Sequence, residues 1–224
     1  MNRSGDEMQH RLAERFRNRL VGNPVNILDV TDSTNDVVKE AGIAGVEEGF
    51  TVIAFEQRRG RGRRGRCWVS NPGQGVYLST LLRPDMPPSE ACWFAMLGGV
   101  AALEAVRELG LTGLSLKWPN DVLVRGRKIA GVLVEPRTGE AKIEFLVLGI
   151  GVNVRQSEQS WTEALNTTAT SCLMEGVSVS LEEVASALMD RIDSWYARLK
   201  SGERNRLQEA WTAHGGTSRM PVIE

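Results

Sequence analysis

The chain has 224 residues, 42% hydrophobic and 25% charged, a balance suited to one sizeable globular core with a small appendage. Its 27 basic and 28 acidic residues give a formal net charge of −1, which removes any general reason to expect DNA or an anionic membrane as partner. Three scattered cysteines and two histidines argue against a disulfide framework and a histidine-rich metal centre.

The N-terminus is polar and lacks the apolar stretch of a signal peptide, and no run approaches the roughly 20 apolar residues of a membrane span. A reducing cytoplasm is the expected compartment. Met8, Leu12, Phe16 and Leu20 recur at fourfold spacing, which predicts a charged helix over 7–20 that ends before Gly22-Asn23-Pro24. A short strand follows at 26–30, and the polar run 32–36 offers several caps for a helix through Val37, Val38 and Ala41. Residues 49–55 and 75–82 are β-rich, and 90–109 is the best long helix, stopped by Gly110. Strands are expected at 114–118, 121–125 and 128–135, with Arg125-Gly126-Arg127 as a hairpin turn. The apolar run 143–150 reads as a buried strand, and helical patterns resume at 168–174, 181–199 and 203–214. The irregular interleaving favours an α+β fold, a mixed β-sheet with helices packed mainly on one face. Residues 1–214 then form the main domain, and 215–224, with Pro221, Val222 and Ile223, open a further β domain.

The densest chemistry lies between the strands at 49–55 and 75–82. Six arginines (Arg58, Arg59, Arg61, Arg63, Arg64, Arg66) fall within nine positions, interrupted by Gly60, Gly62 and Gly65. Glycine lets backbone amides approach a ligand oxygen closely, and guanidinium forks suit carboxylate and phosphate. A P-loop is absent. Three readings stand: a solvated basic loop, an RNA-binding arginine-glycine segment, or a phosphate cradle. RNA binding expects interleaved aromatics, whereas Trp68 is the only one here, and flanking strands favour a folded loop.

A second cluster reads LKWPNDVLVRGRKIAGVLVE over 116–135. Pro119 fits a turn or strand edge, which leaves Asn120 and Asp121 able to face a cleft. Period-2 alternation along the last strand puts Lys128, Ala130 and Val132 on one face, with Ile129, Gly131 and Leu133 on the other. A lysine at a strand start is commonly just solvated. Facing Asp121, it could instead flank a nucleotide.

In order, Ser33-Thr34-Asn35, GRGRRGRCW at 60–68, KWPND at 117–121, KIAGVLVE at 128–135 and GIGVN at 149–153 resemble the motifs of the biotin protein ligases. The resemblance covers about residues 30–155. It implies the fold of biotin and lipoate ligase catalytic domains and an ATP-dependent two-step reaction. Biotin's carboxylate attacks the α-phosphate of ATP to give biotinyl-5′-adenylate. A lysine of a carrier protein or domain, such as that of acetyl-CoA carboxylase, then takes the biotinyl group. Under this resemblance Ser33, Thr34, Asn35 and Gln57 hydrogen-bond the ureido ring, with Ser33–Asn35 also able to cap a helix. Gly60, Arg61, Gly62 and Arg63 fold over the acyl phosphate, and Trp68 packs beside the ligand's apolar part. Lys128 and Arg63 are the expected catalytic residues. Lys117, Asn120 and Asp121 help place ATP, with Asp121 as the Mg²⁺ ligand. Gly131, Gly151 and Asn153 line the pocket floor and the nucleotide side, unless those glycines serve tight strand packing alone.

About 30 residues precede Ser33, fewer than the family's DNA-binding helix-turn-helix requires, so a non-repressor type is expected. Monomer and weak homodimer both stay open, and neither DNA nor membrane is an expected partner. The nearest alternative is a lipoate ligase or transferase. The other is an RNA-binding module using the arginine-glycine segment.

Overall fold

The computed structural model describes residues 3–215. Its centre is the apolar run at 143–150, which continues three residues further as a strand, Ile143–Asn153. Among the described residues it is the middle one of seven strands: β1 (Val25–Leu28), β2 (Thr51–Ala54), β3 (Gly75–Leu82), β4 (Leu114–Lys117), β5 (Asp121–Val124), β6 (Arg127–Thr138) and β7 (Ile143–Asn153). They form one sheet in the order β1-β2-β3-β7-β6-β5-β4. Only β1 and β2 run parallel, and every other neighbouring pair is antiparallel. The fold is therefore α+β with a mixed sheet.

Most helices lie on one face. There α3 (Cys92–Glu108) and α5 (Leu181–Lys200) bury Phe94, Leu97, Leu188 and Met189 with Leu78, Val132, Leu148 and Ile150 of the sheet. Flanking them are α1 (Arg3–Phe16) and α6 (Arg204–Ala213), which contribute Leu12, Phe16, Leu207 and Trp211. Two-sided burial explains the composition of α3: with the turn before it, Pro88–Glu108 is long and apolar enough to cross a membrane, yet 72% of its most apolar window is buried inside the protein. Among the described residues the opposite face carries only α2 (Thr34–Ile43), over a small second core of Val38, Val52, Leu81, Phe145 and Val147. Those residues leave the rest of that face without a helix. The four-residue α4 (Glu163–Asn166) lies in the connection after β7.

Three local expectations differ. The first helix spans 3–16 rather than 7–20, because tertiary partners take over its end. Asn23 Nδ2 donates to the Arg17 carbonyl at 2.8 Å, and Asp193 Oδ1 accepts the main-chain N–H groups of Leu20 and Val21, each at 3.0 Å. Residues 168–174 form no helix; their backbone pairs with Lys128 instead, through Lys128 N to Thr168 O (2.8 Å) and Thr170 N to Lys128 O (2.9 Å). Third, β5 and β6 shift register between Val122 and Leu123, so Val122 pairs with Ala130 and Leu123 with Lys128. Ile129 is the extra residue of a β-bulge, which inverts the alternation beyond it. Lys128 therefore shares a face with Gly131, where an added Cβ would stand 2.9 Å from Lys128 Cε. The expected strand at 218–224 lies outside the described residues.

Candidate functional site

The uncovered face holds a cleft of about 710 Å³. Its floor is largely bare backbone, since Gly131 pairs with Gly151 and Gly149 lies opposite Leu133 across β6 and β7. A Cβ on Gly151 would meet the Trp68 indole at 2.8 Å, one on Gly131 the same ring at 2.8 Å, and one on Gly149 the Asn35 amide oxygen at 2.1 Å. The floor glycines therefore serve close approach from above. Packing between strands is not what requires them.

At one end, α2 delivers Ser33, Thr34 and Asn35, all under 5% exposed. Ser33 has extended N-cap geometry (φ −158°, ψ 132°), but its hydroxyl makes no capping bond and so stays available to the cleft. Gln57 Oε1 accepts from Thr34 N (2.9 Å) and Thr34 Oγ1 (3.1 Å), while its Nε2 donates to Ser70 Oγ at 3.3 Å. Asn35 Oδ1 accepts from Ser79 Oγ at 2.6 Å, and Asn35 Nδ2 donates to Glu135 Oε2 at 2.5 Å. Ser79 Oγ also lies 2.7 Å from Thr34 Oγ1. These bonds orient both amides and leave each –NH₂ one unused N–H. The polar end thus offers two amide donors and one serine hydroxyl.

The arginine-glycine segment lies beside it as a folded hairpin. Trp68 N donates to Gly60 O (2.9 Å) and Gly62 N to Arg66 O (2.7 Å), with Arg61 and Cys67 bridged antiparallel. Its tip, Arg63–Gly65, carries left-handed Arg64 (φ 57°) and Gly65 (φ 72°). Arg61 grips Asp36 with both terminal nitrogens at 2.6 Å and lies 3.5 Å from Glu135. The Asp36 carboxylate raises the Arg61 pKa, and Arg61 in turn holds the Asp36 carboxyl below the usual range. Arg63, Arg64 and Arg66 line the cleft and make no ion pair among the described residues.

On the far wall, the bulge turns Lys128 inward. Its Nζ lies 5.1 Å from the Trp68 ring centroid and 2.5 Å from Asp121 Oδ1, close but not aligned as a hydrogen bond. Asn120 and Val132 exchange two bonds, Nδ2 to O (2.8 Å) and N to O (2.9 Å), which tie the turn before β5 to β6. Trp118 stacks edge-on against Trp211 of α6 at 5.6 Å, fixing the same turn from behind. Cations dominate the lining: Arg61, Arg63, Arg64, Arg66, Lys117 and Lys128 stand against one carboxylate, Asp121.

Of the residues singled out from sequence, Ser33, Thr34, Asn35, Gln57, Arg61, Gly62, Arg63 and Trp68 converge here with Lys117, Asn120, Asp121, Lys128, Gly131 and Gly151. Two stand behind the wall. Gly60 packs where a Cβ would meet the Trp68 carbonyl at 2.6 Å. Asn153 is 5% exposed and spends its amide on the carbonyls of Thr170 (3.0 Å) and Lys128 (3.5 Å). Sequence reasoning missed Asp36, Glu135 and Ser79, which anchor the ligand-facing groups. Glu135 had a visible signal, an acid on an apolar strand two residues past Leu133. Tyr77 was also missed; burial pushes its phenol up to about 12, and its hydroxyl has no hydrogen-bond partner among the described residues.

Residues 27–153 match the biotin/lipoate A/B protein ligase family. The chain is 35% identical over 202 residues to the biotin--[acetyl-CoA-carboxylase] ligase of Paracoccus denitrificans, covering 86% of this chain and 81% of that one. It is 34% identical over 156 residues to the bifunctional ligase/repressor BirA of Bacillus subtilis, covering 70% of this chain but 48% of that protein. The chain thus spans about half the length of such bifunctional relatives. Among solved structures, the biotin protein ligase of Aquifex aeolicus in complex with biotin and ATP superposes with a TM-score of 0.73 at 30% identity, covering 86% of this chain and 78% of that one.

Proposed function

Since the chain belongs to the biotin/lipoate A/B protein ligase family, we propose that it is an ATP-dependent biotin protein ligase. It forms biotinyl-5′-adenylate and passes the biotinyl group to a lysine of a carboxylase carrier domain. The observation that carries this reading is one cleft with opposite chemistry at its ends: oriented donors at one, a cluster of cations at the other, and a glycine floor between them.

A ureido ring needs donors for its carbonyl and acceptors for its two N–H groups. The unused N–H groups of Asn35 and Gln57 serve the first need, and the Ser33 hydroxyl oxygen accepts from one of the two N–H groups. A flat bicycle and its alkyl chain run from that end alongside the Trp68 indole, which itself stands over Gly131 and Gly151. That direction brings the carboxylate to Arg61, Arg63 and Lys128. Carboxylate and phosphate repel by about 4 kcal/mol per charge pair at 4 Å under an effective dielectric of 20, so alignment with cations is the main catalytic task. The carboxylate oxygen attacks the α-phosphorus and pyrophosphate leaves. Lys128 neutralises charge building on the α-phosphoryl oxygens in this reading, and Arg63 closes over the same group. In the second step the acceptor amine attacks the acyl carbon and AMP leaves.

Asp121 is the one carboxylate among the lining residues. It would be the protein group that meets Mg²⁺ arriving with ATP, and the ion would add to the neutralisation of phosphate charge. The cytoplasm is the matching compartment: ATP is present there, and Cys67, Cys92 and Cys172 are free thiols.

Lipoate offers no polar ring, so Ser33, Asn35 and Gln57 would stay unpaired at about 1–3 kcal/mol each. The test is pyrophosphate release with ATP and each acid in turn. Release with biotin, absent with lipoate and octanoate, is expected; the reverse pattern overturns the assignment. RNA retention that falls steeply with salt, without any biotin-dependent release, would favour the nucleic-acid alternative.

A further inference from the structure

The main chain of Lys128 is held by a segment with no regular structure of its own. Lys128 N–H goes to the Thr168 carbonyl at 2.8 Å, and the Lys128 carbonyl accepts Thr170 N–H at 2.9 Å. That segment is anchored by one carboxylate. Thr170 Oγ1 donates to Glu175 Oε1 at 2.6 Å, and the Glu175 side chain is 3% exposed. The same carboxylate takes Arg125 at 2.5 Å on Oε2 and Arg127 at 2.7 Å on Oε1. Those arginines flank Gly126 in the turn that leads into Lys128. Arg125 is left-handed there (φ 48°), as is Gly126 (φ 84°), a conformation that disfavours a side chain bearing Cβ. Glu175 therefore gathers the turn before Lys128 and the strap beside it onto one buried point, next to the bulge that aims the ammonium into the cleft.

We propose that Glu175, acting through Thr170, Arg125 and Arg127, is a positioning residue for Lys128 and sets where its ammonium stands over the α-phosphate. This rests on the reading that Lys128 stabilises adenylate formation. Glu175 lines no part of the cleft, and the polar end at Ser33–Asn35 lies across the floor from it. Its loss should change the chemical step and leave biotin capture alone.

The experiment is a double-mutant cycle on pyrophosphate release, with Glu175→Gln and Lys128→Ala alone and together. Small displacements of a catalytic group cost rate steeply, so Glu175→Gln should lower kcat about tenfold with the KM for biotin unchanged. Combined with Lys128→Ala it should add no further loss. Thr170→Val provides a milder second variant should Glu175→Gln not fold, and Thr170→Ser should restore its rate. Equal losses in the presence and absence of Lys128, or a rise in biotin KM with kcat kept, would overturn the proposal and leave Lys128's own role intact. A Lys128→Ala enzyme as fast as the parent would remove both the brace and the assignment of Lys128. No biotin-dependent release by the parent chain would defeat the ligase reading itself.

Discussion

Gly149→Ala is the sharpest perturbation the cleft offers. The added methyl would stand 2.1 Å from Asn35 Oδ1 and 3.1 Å from its Nδ2, distances no packed carbon tolerates, so the amide must swing away. Doing so breaks the bonds from Ser79 Oγ (2.6 Å) and to Glu135 (2.5 Å). Each is worth about 1 kcal/mol net, and the buried Ser79 hydroxyl keeps Thr34 Oγ1 at 2.7 Å as its partner, so the total is about 2 kcal/mol. For a domain of this size each kcal/mol moves Tm by about 2–4 °C, so a fall of about 4–8 °C is expected. Biotin loses the Asn35 N–H as well, which at about 1.4 kcal/mol weakens its Kd about tenfold. Thermal unfolding and calorimetric titration read both numbers. Removing the obstructed side chain in Gly149→Ala/Asn35→Ala should raise Tm above that of Gly149→Ala alone, the non-additivity of two groups in contact. A Gly149→Ala protein with unchanged Tm and biotin affinity would refute the account of the floor.

Other consequences follow from the same geometry. Lys128→Ala should slow biotin-dependent pyrophosphate release at least tenfold, about 1.4 kcal/mol of transition-state stabilisation; an unchanged rate removes that lysine from the mechanism. Arg61 holds the Asp36 carboxyl low, and a depressed acid contributes above its unfolded pKa and loses that contribution as pH falls through the folded value. The Arg61 Nε–H resonance should therefore keep its bound position at neutral pH and move only in acid. Asp36→Asn should abolish that step, and an identical titration in the variant would contradict the pairing. Burial pushes the Cys172 thiol up to about 12, whereas Cys67 is exposed on the arginine hairpin. A thiol reagent at mildly alkaline pH should label Cys67 quickly and Cys172 only on unfolding, with biotin plus ATP slowing Cys67; fast labelling of Cys172 in the folded protein would count against the core.

Much of the site was readable because its residues come in short local runs. Ser33-Thr34-Asn35, the arginine-glycine hairpin and the turn at 117–121 each carry their chemistry within a few positions, and each lines the cleft. The strongly periodic helix α5 was likewise visible, helped by its capping box: Glu183 N donates to Ser180 Oγ at 3.1 Å and Ser180 N to Glu183 Oε2 at 2.8 Å. Residues 168–174 misled because an apolar pattern in a short window fits either a helix or a strap, and the decision lay with the edge of β6. Asn153 misled differently: its motif was right, but its amide faces the back of the wall, serving the Thr170 carbonyl.

The sequence by itself determined which chemical groups the protein owns, since a guanidinium, a bare glycine or an amide keeps its character wherever it lies. It also determined most strands and helices, whose periodicities are local. Tertiary structure alone decided which groups face one another. A single extra residue in β6 turns Lys128 into the cleft against the simple alternation, and Asp36, Glu135 and Ser79 become anchors only once distant strands and α2 meet. Facing depends on register and on contacts across the chain, and a linear pattern carries neither.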